Sequence, residues 1–309
     1  MNQYYIHMKL VLITFAGKKC HLEILFKYIL KYTNYIDEYK LFVATSIEED
    51  IEYMKTFSEN NEFVTLEYYK ESNGDIVTDK NRIWDYAYSL CQEEDTIYLK
   101  LDDDIVYMEE TLFTDFIKYR ETSTAPLLFP VIINNVYFSN LFSQNNMPIS
   151  NLKGNMINTW PNTYNNIKTI VEDNKCNTEL KIGKITKLNE VLCPVAWGNV
   201  NYCVDLHNFF INKLKTNTIS ELYLENHIVP NKFPVSICCC SWRGKDLKQI
   251  TNQIGKVFDD EPWWTIWMPT WLNTDNEVYG KTIVSHYSYY KQRELGLDNT
   301  DILNQYKDI

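Results

Sequence analysis

At 309 residues and 36.7 kDa, with 45% hydrophobic residues, the chain can bury a sizeable core and is not a disordered polymer. A formal net charge of −11 argues against a general nucleic-acid binder, which needs a basic footprint. No run of 18 apolar residues occurs, so no membrane span is expected, and Met1 to Tyr5 lacks the charged and apolar regions of a signal peptide.

The first 130 residues alternate strand and helix patterns. Lys9 to Phe15 reads as a strand, and Cys20 to Tyr32 as a helix with Leu22, Leu25, Phe26, Ile29 and Leu30 on one face. Tyr39 to Thr45 is strand-like, and Ser46 with Glu49 resembles a helix N-terminal capping box. Phe63 to Tyr68 predicts a third strand, Asn81 to Cys91 a helix, and Thr96 to Leu101 a fourth strand. Glu109 to Arg120 reads as a helix and Pro126 to Ile133 as a fifth strand. Such alternation predicts an open, mostly parallel α/β sheet with right-handed crossovers. From Asn134 to Asn189 the pattern dissolves into polar stretches, read as long loops and short helices facing an acceptor. Order returns near Leu192, with a helix around Val204 to Leu214 and a strand from Val235 to Trp242. A short helix over Asp260 to Trp267, a strand over Thr282 to Tyr287 and a helix over Thr300 to Asp308 follow. The expected organisation is one continuous domain, with a nucleotide-binding half at 1–133 and an acceptor half with a contacting tail at 134–309.

Eight cysteines are present, but no Cys-x-x-Cys spacing, and Cys238-Cys239-Cys240 lie within an apolar run. Reduced thiols are the better reading. No Asn-x-Ser/Thr sequon occurs in an Asn-rich chain, which also disfavours secretion. The expected location is the cytoplasm.

Chemistry concentrates at Asp102-Asp103-Asp104, immediately after the apolar run Thr96 to Leu101. In open α/β sheets ligands collect outside the carboxyl ends of strands. Three carboxylates there need a counter-charge, and a divalent cation is the most compact one. The bland alternative is a solvated turn with capping aspartates. On the functional reading Asp104 is the best metal ligand, with Asp102 as second ligand or ribose partner and Asp103 on the donor side. Mn²⁺ or Mg²⁺ suits oxygen ligands and keeps waters that phosphates replace. His286 closes the late strand and is either a packed, hydrogen-bonded histidine or a further ligand, in which case it favours Mn²⁺. Gln292 and Arg293 follow closely and offer groups for phosphate oxygens; His7, His21, His207 and His227 lack such company and read as structural.

Asp259-Asp260-Glu261-Pro262 is either the capped start of a helix or the source of a general base, with Asp260 and Glu261 the candidates. Trp263, Trp264, Trp267 and Trp271 read as core or as a sugar-stacking wall. Thr14-Phe15-Ala16-Gly17-Lys18 closes the first strand, where a Gly allows close approach to backbone and Lys18 is a cation for phosphate. It is neither a Walker loop nor a G-x-G-x-x-G turn. Lys80 and Arg82 are further phosphate-side candidates.

Together these features resemble the GT-A class of nucleotide-sugar glycosyltransferases. Ile13-Thr14-Phe15-Ala16-Gly17-Lys18, Tyr98 to Ile105, and Val284 to Tyr287 through Gln292-Arg293 look like a group of glycosyltransferase-like proteins of microbes and large DNA viruses, a host-cytoplasm setting if viral. The Asn, Ile, Lys and Tyr bias suits an AT-rich genome. The resemblance implies a GT-A-like fold and transfer of a hexose or deoxyhexose from a nucleoside-diphosphate sugar to a hydroxyl of a glycan or protein. It implies a metal on Asp104, Asp102 and His286, donor contacts from Thr14, Phe15, Gly17, Lys18, Arg82, Asp102, Asp103 and Arg293, and, for an inverting transfer, a base at Asp260 or Glu261. The competing readings are a nucleotidyltransferase or metal phosphohydrolase, and a non-catalytic glycan-binding module on a degenerate scaffold.

Overall fold

The computed structural model describes residues 8–78, 80–144, 197–229, 235–254 and 260–309. β1 (Lys9–Ala16), β2 (Glu38–Val43) and β3 (Val64–Glu67) pair in parallel, linked by α1 (Lys19–Lys31) and α2 (Glu48–Glu59). A small hairpin, β4 (Tyr69–Lys70) and β5 (Ile76–Val77), leads through α3 (Lys80–Ser89) to β6 (Thr96–Leu101), which pairs in parallel with the other side of β1. β7 (Ile105–Met108) and α4 (Asp115–Thr122) precede β8 (Leu128–Ile133) and α5 (Val136–Gln144). The later chain adds α6 (Val200–Lys215), β9 (His227–Ile228), β10 (Cys239–Arg243) and β11 (Glu277–His286).

The main sheet runs β3-β2-β1-β6-β10-β8-β11-β7, with β9 on β11. β10 is antiparallel to both β6 and β8, and β11 is parallel to β8, so β1, β2, β3, β6, β8 and β11 share one direction. This is the expected α/β architecture with a mostly parallel sheet. Every residue of β6 and of β8 is buried, as continuous apolar strands covered on both faces require. Each fully buried Leu, Ile or Val there contributes about 1.5–3 kcal/mol against remaining exposed. β10 and β11, from the second half of the sequence, lie within the same sheet as the first four parallel strands.

Several local expectations are corrected. Leu30 is exposed at 48%, and Ile24 joins Leu22, Leu25, Phe26 and Ile29 on the buried face of α1 instead. No capping box opens α2: its first turn follows Ile47, whose N–H donates to Thr45 Oγ1 at 3.1 Å, while Glu49 pairs with Lys19 at 2.7 Å. The predicted helix from Glu109 is interrupted because the Glu109 carboxylate accepts from Ile283 N and Tyr223 OH, both at 2.7 Å, leaving a 3₁₀ turn at Glu110–Leu112. Strand β10 begins at Cys239, not Val235.

Strand β11 starts earlier than Thr282 because a register shift between Tyr279 and Ile283 lets pairing resume upstream. Gly280 sits at that bulge, where a Cβ would come within 2.1 Å of the Leu224 carbonyl, so no larger residue fits. Of the polar segment from Asn134 to Asn189, residues beyond 144 lie outside the described part, as do Leu192, His7 and Asp259. Six cysteines among the described residues are free thiols.

Candidate metal centre

The aspartate triplet is a crossover between strands. Asp102 leaves β6, and its N–H donates to Cys238 O at 2.8 Å beside β10. After Asp104 the chain enters β7, which pairs with β11 at the other end of the sheet order. Three consecutive residues therefore meet three different strand ends. Asp103 turns back to β1, where its Oδ2 accepts from Gly17 N at 2.9 Å. Asp104 meets the end of β11, and its carbonyl accepts from Tyr287 N at 2.9 Å.

Asp104 is only 3% exposed and heavily partnered. Oδ1 lies 3.2 Å from His286 Nε2; Oδ2 accepts from Arg293 Nη1 at 3.0 Å and from Ser288 Oγ at 3.1 Å. Burial pushes its carboxyl upward, but the imidazole of His286 and the guanidinium of Arg293 hold it well below the usual carboxylate range. His286 Nδ1 lies 3.2 Å from the Asn134 carbonyl. A carbonyl only accepts, so Nδ1 carries the proton and Nε2 presents its lone pair toward Asp104 whenever the ring is neutral. Burial disfavours a charged His286, while Asp104 favours it more strongly and raises its affinity for a proton. A lone pair and a carboxylate oxygen facing each other need a cation between them: a proton on the ring, or a metal. Ligand atoms of Asp102, Asp104 and His286 all lie within 4.8 Å of one another, so the trio can hold a metal ion. Orientation of the imidazole by a backbone carbonyl on its other nitrogen is the usual support of a ligating histidine.

Asp102 has its own counter-charge. The ammonium of Lys100, a residue 1% exposed, pairs with Asp102 Oδ1 and donates to Ile237 O at 2.8 Å. Burial penalises this ammonium, yet Asp102 and then Asp260 keep it protonated. Asp260 thus lies within electrostatic reach of Lys100, and its Oδ2 accepts from Tyr88 OH at 2.9 Å. Glu261 acts electrostatically on Tyr289, whose ring stands 5.2 Å from that of His286.

No protein-family model matches the sequence, and no curated protein matches it. One solved structure similar to part of the chain is 4-diphosphocytidyl-2C-methyl-D-erythritol synthase from Anaerococcus prevotii, at 13% identity and a TM-score of 0.30. The match covers 41% of this chain and 56% of that one, so the chain spans about half the length of that structure. So slight a likeness carries no argument about the site, whose reading rests on its own geometry.

The remaining candidates fall into two groups. Gly17, Asp103 and Arg293 join the cluster, but through contacts within the chain: Arg293 sits on Asp104 and on Ser288 Oγ at 2.6 Å. Thr14 and Phe15 are buried behind it, Thr14 accepting from Tyr39 OH at 2.9 Å and Phe15 lying 5.9 Å beneath the Lys100 ammonium. Lys18 is exposed on the same turn. Arg82 is exposed and paired with Glu71, a partner the sequence pattern did not suggest. The helix at Asp260 begins with that residue, and Trp263, Trp264 and Trp267 are core rather than a wall, with Trp264 4.6 Å from Trp242.

Sequence reading passed over Lys100, Asn134 and Ser288. Lys100 was detectable: a lysine inside an otherwise apolar strand, two residues before Asp102, shares its strand face and needs a buried carboxylate. His21, set aside as structural, lies close enough to Asp104 to influence it. Its ring is 5.2 Å from Tyr287, its Nδ1 has no hydrogen-bond partner among the described residues, and burial lowers its pKa to about 4.

Proposed function

We propose that the protein is a metal-dependent glycosyltransferase that moves a sugar from a nucleoside-diphosphate sugar to a hydroxyl acceptor on a glycan or protein. The observation that carries this reading is the convergence of Asp102, Asp104 and His286 at the carboxyl ends of a mostly parallel sheet. That is where open α/β sheets bind nucleotides. The donor set of carboxylates and one imidazole suits Mn²⁺, with Mg²⁺ as the harder substitute. A bound divalent ion supplies Lewis-acid stabilisation of the leaving diphosphate, typically worth several kcal/mol.

The chain's own residues supply the rest. Asp104 and His286 hold the ion, and Asp102 completes the set. Asp103 fixes the turn after β1 through Gly17 N, so Lys18 and the backbone of that turn border the donor. Lys100 and Arg293 balance the carboxylates, so a buried acidic cluster persists without a ligand. For an inverting transfer Asp260 or Glu261 takes the acceptor proton, worth about 10²–10⁴-fold. Tyr88 orients Asp260 by donating to one of its oxygens.

The experiment is equilibrium binding of UDP-, GDP- and dTDP-sugars with and without Mn²⁺, in wild type and Asp104→Asn. Metal-dependent binding in wild type alone, with sugar release on incubation, supports the reading. Pyrophosphate release from a nucleoside triphosphate and a sugar phosphate replaces it with a nucleotidyltransferase. Glycan binding that survives loss of Asp102 and Asp104 replaces it with a binding module.

A further inference from the structure

Asn134 ends β8 in the left-handed conformation, with φ 58°, and is 1% exposed. Asn tolerates that region better than most side chains, but a buried instance needs compensation from its surroundings. Asn134 obtains it from one short stretch of chain. Its carbonyl lies at His286 Nδ1, and its Nδ2 donates to Tyr287 O at 2.9 Å and to Gln292 Oε1 at 3.0 Å. Gln292 Nε2 donates back to Asn134 Oδ1 at 3.1 Å, and Gln292 Oε1 also accepts from Tyr289 N at 2.8 Å. Gln292 is fully buried.

The two amides therefore grip each other across the fold and bracket the segment His286 to Tyr289. The residue after Gln292 is Arg293, which sits on Asp104. An apolar pair could fill the same space without any need for exact hydrogen bonding, whereas a satisfied amide pair fixes a single geometry. We propose that Asn134 and Gln292 form a latch that positions His286 as a metal ligand and holds Arg293 against Asp104. Asn134 sets the ring through its carbonyl; Gln292 keeps Asn134 in place and closes the tail. Both are positioning residues, acting through His286 and Arg293. The inference rests on the reading of Asp102, Asp104 and His286 as a divalent-metal site.

The test is Mn²⁺ titration calorimetry on the full chain, comparing wild type, Asn134→Gly and Gln292→Leu, each first shown to be folded by circular dichroism. Asn134→Gly accepts the positive φ and keeps the carbonyl but removes the amide. Loss of support to a ligating histidine typically weakens metal binding 10–100-fold, and that is the expected change in both variants. Faster trypsin cleavage after Arg293 should accompany it. Mn²⁺ affinity within twofold of wild type, with or without faster cleavage, reduces the pair to a structural element and overturns the latch alone. A wild type that binds no Mn²⁺ overturns both the latch and the metal reading. Should Gln292→Leu fail to fold, Asn134→Gly decides.

Discussion

His286 Nε2 and Asp104 Oδ1 lie 3.2 Å apart, at the meeting point of β11 and the crossover from β6 to β7. Both atoms belong to side chains about 5% exposed, so the pair is a buried one. Its geometry leaves Asp104 dependent on three neighbours and those neighbours dependent on Asp104. Replacing Asp104 with Asn removes the charge that Arg293 and His286 share. Breaking a buried pair from one side costs roughly 3–5 kcal/mol. Urea unfolding of Asp104→Asn at neutral pH should show a loss of that order, and a change under 1 kcal/mol would mean the cluster is solvated rather than buried.

Lys100 and Asp102 should respond asymmetrically. Lys100 is 1% exposed, whereas the Asp102 side chain is 19% exposed. Lys100→Met leaves a carboxylate that water can partly solvate; Asp102→Asn leaves an ammonium in the core without its paired carboxylate, beside Ile237 O and in the field of Asp260. Asp102→Asn should therefore be the more destabilising, by about 1–2 kcal/mol within the range for a broken buried pair. Chemical denaturation of both variants orders them, and the reverse order counts against the assignment of Lys100 as the buried partner.

Acid should weaken the fold through two histidines before most carboxylates titrate. His207 is buried, with Nε2 2.9 Å from Tyr287 O and Nδ1 2.8 Å from Tyr306 OH, and burial lowers its pKa to about 4. Burial does the same to His21. In the unfolded chain these rings take up a proton near pH 6.5, so between pH 6.5 and 4 the unfolded state binds more protons and stability falls as pH falls. From pH 6.5 to 5 each histidine should cost roughly 1.5 kcal/mol. Urea midpoints across that range should fall less steeply in His207→Gln than in wild type; parallel slopes would rule His207 out as a source.

The indole cluster should behave as core. Trp264 is fully buried, 4.6 Å from Trp242, 4.9 Å from Trp263 and 5.0 Å from Tyr88 by ring centroids. Trp264→Ala should cost about 3–5 kcal/mol, as large aromatic truncations in cores do. Because Tyr88 also holds Asp260, the expected loss extends to the order of the Asp260 turn, visible as faster amide exchange there.

Much of the fold was written in local pattern. The period-two and continuous apolar runs of Leu10 to Phe15, Tyr39 to Val43 and Thr96 to Leu101 specify buried strands regardless of partner, and the helical spacing from Leu22 to Ile29 specifies the covering helix. The same logic located the triplet at a strand end. Errors arose where a distant group intervened: Glu109 was drawn out of a helix by Ile283 and Tyr223, and β11 was lengthened by a bulge that depends on Leu224 lying against Gly280.

By itself the sequence determined that three carboxylates follow a buried strand, because apolarity and charge are properties of neighbours along the chain. The pairing of Asp102 with Lys100 was legible two residues apart on one strand, but which carboxylate meets His286 and which meets Gly17 was decided by the tertiary structure alone. The reason is topological. β7 pairs with β11 rather than with β6, which carries Asp104 to His286 and Arg293, while Asp103 turns back to Gly17. Asn134 was invisible for the same reason, and Gln292, which by sequence offers a polar group to phosphate oxygens, is instead fully buried against it; only the fold brings these two amides together.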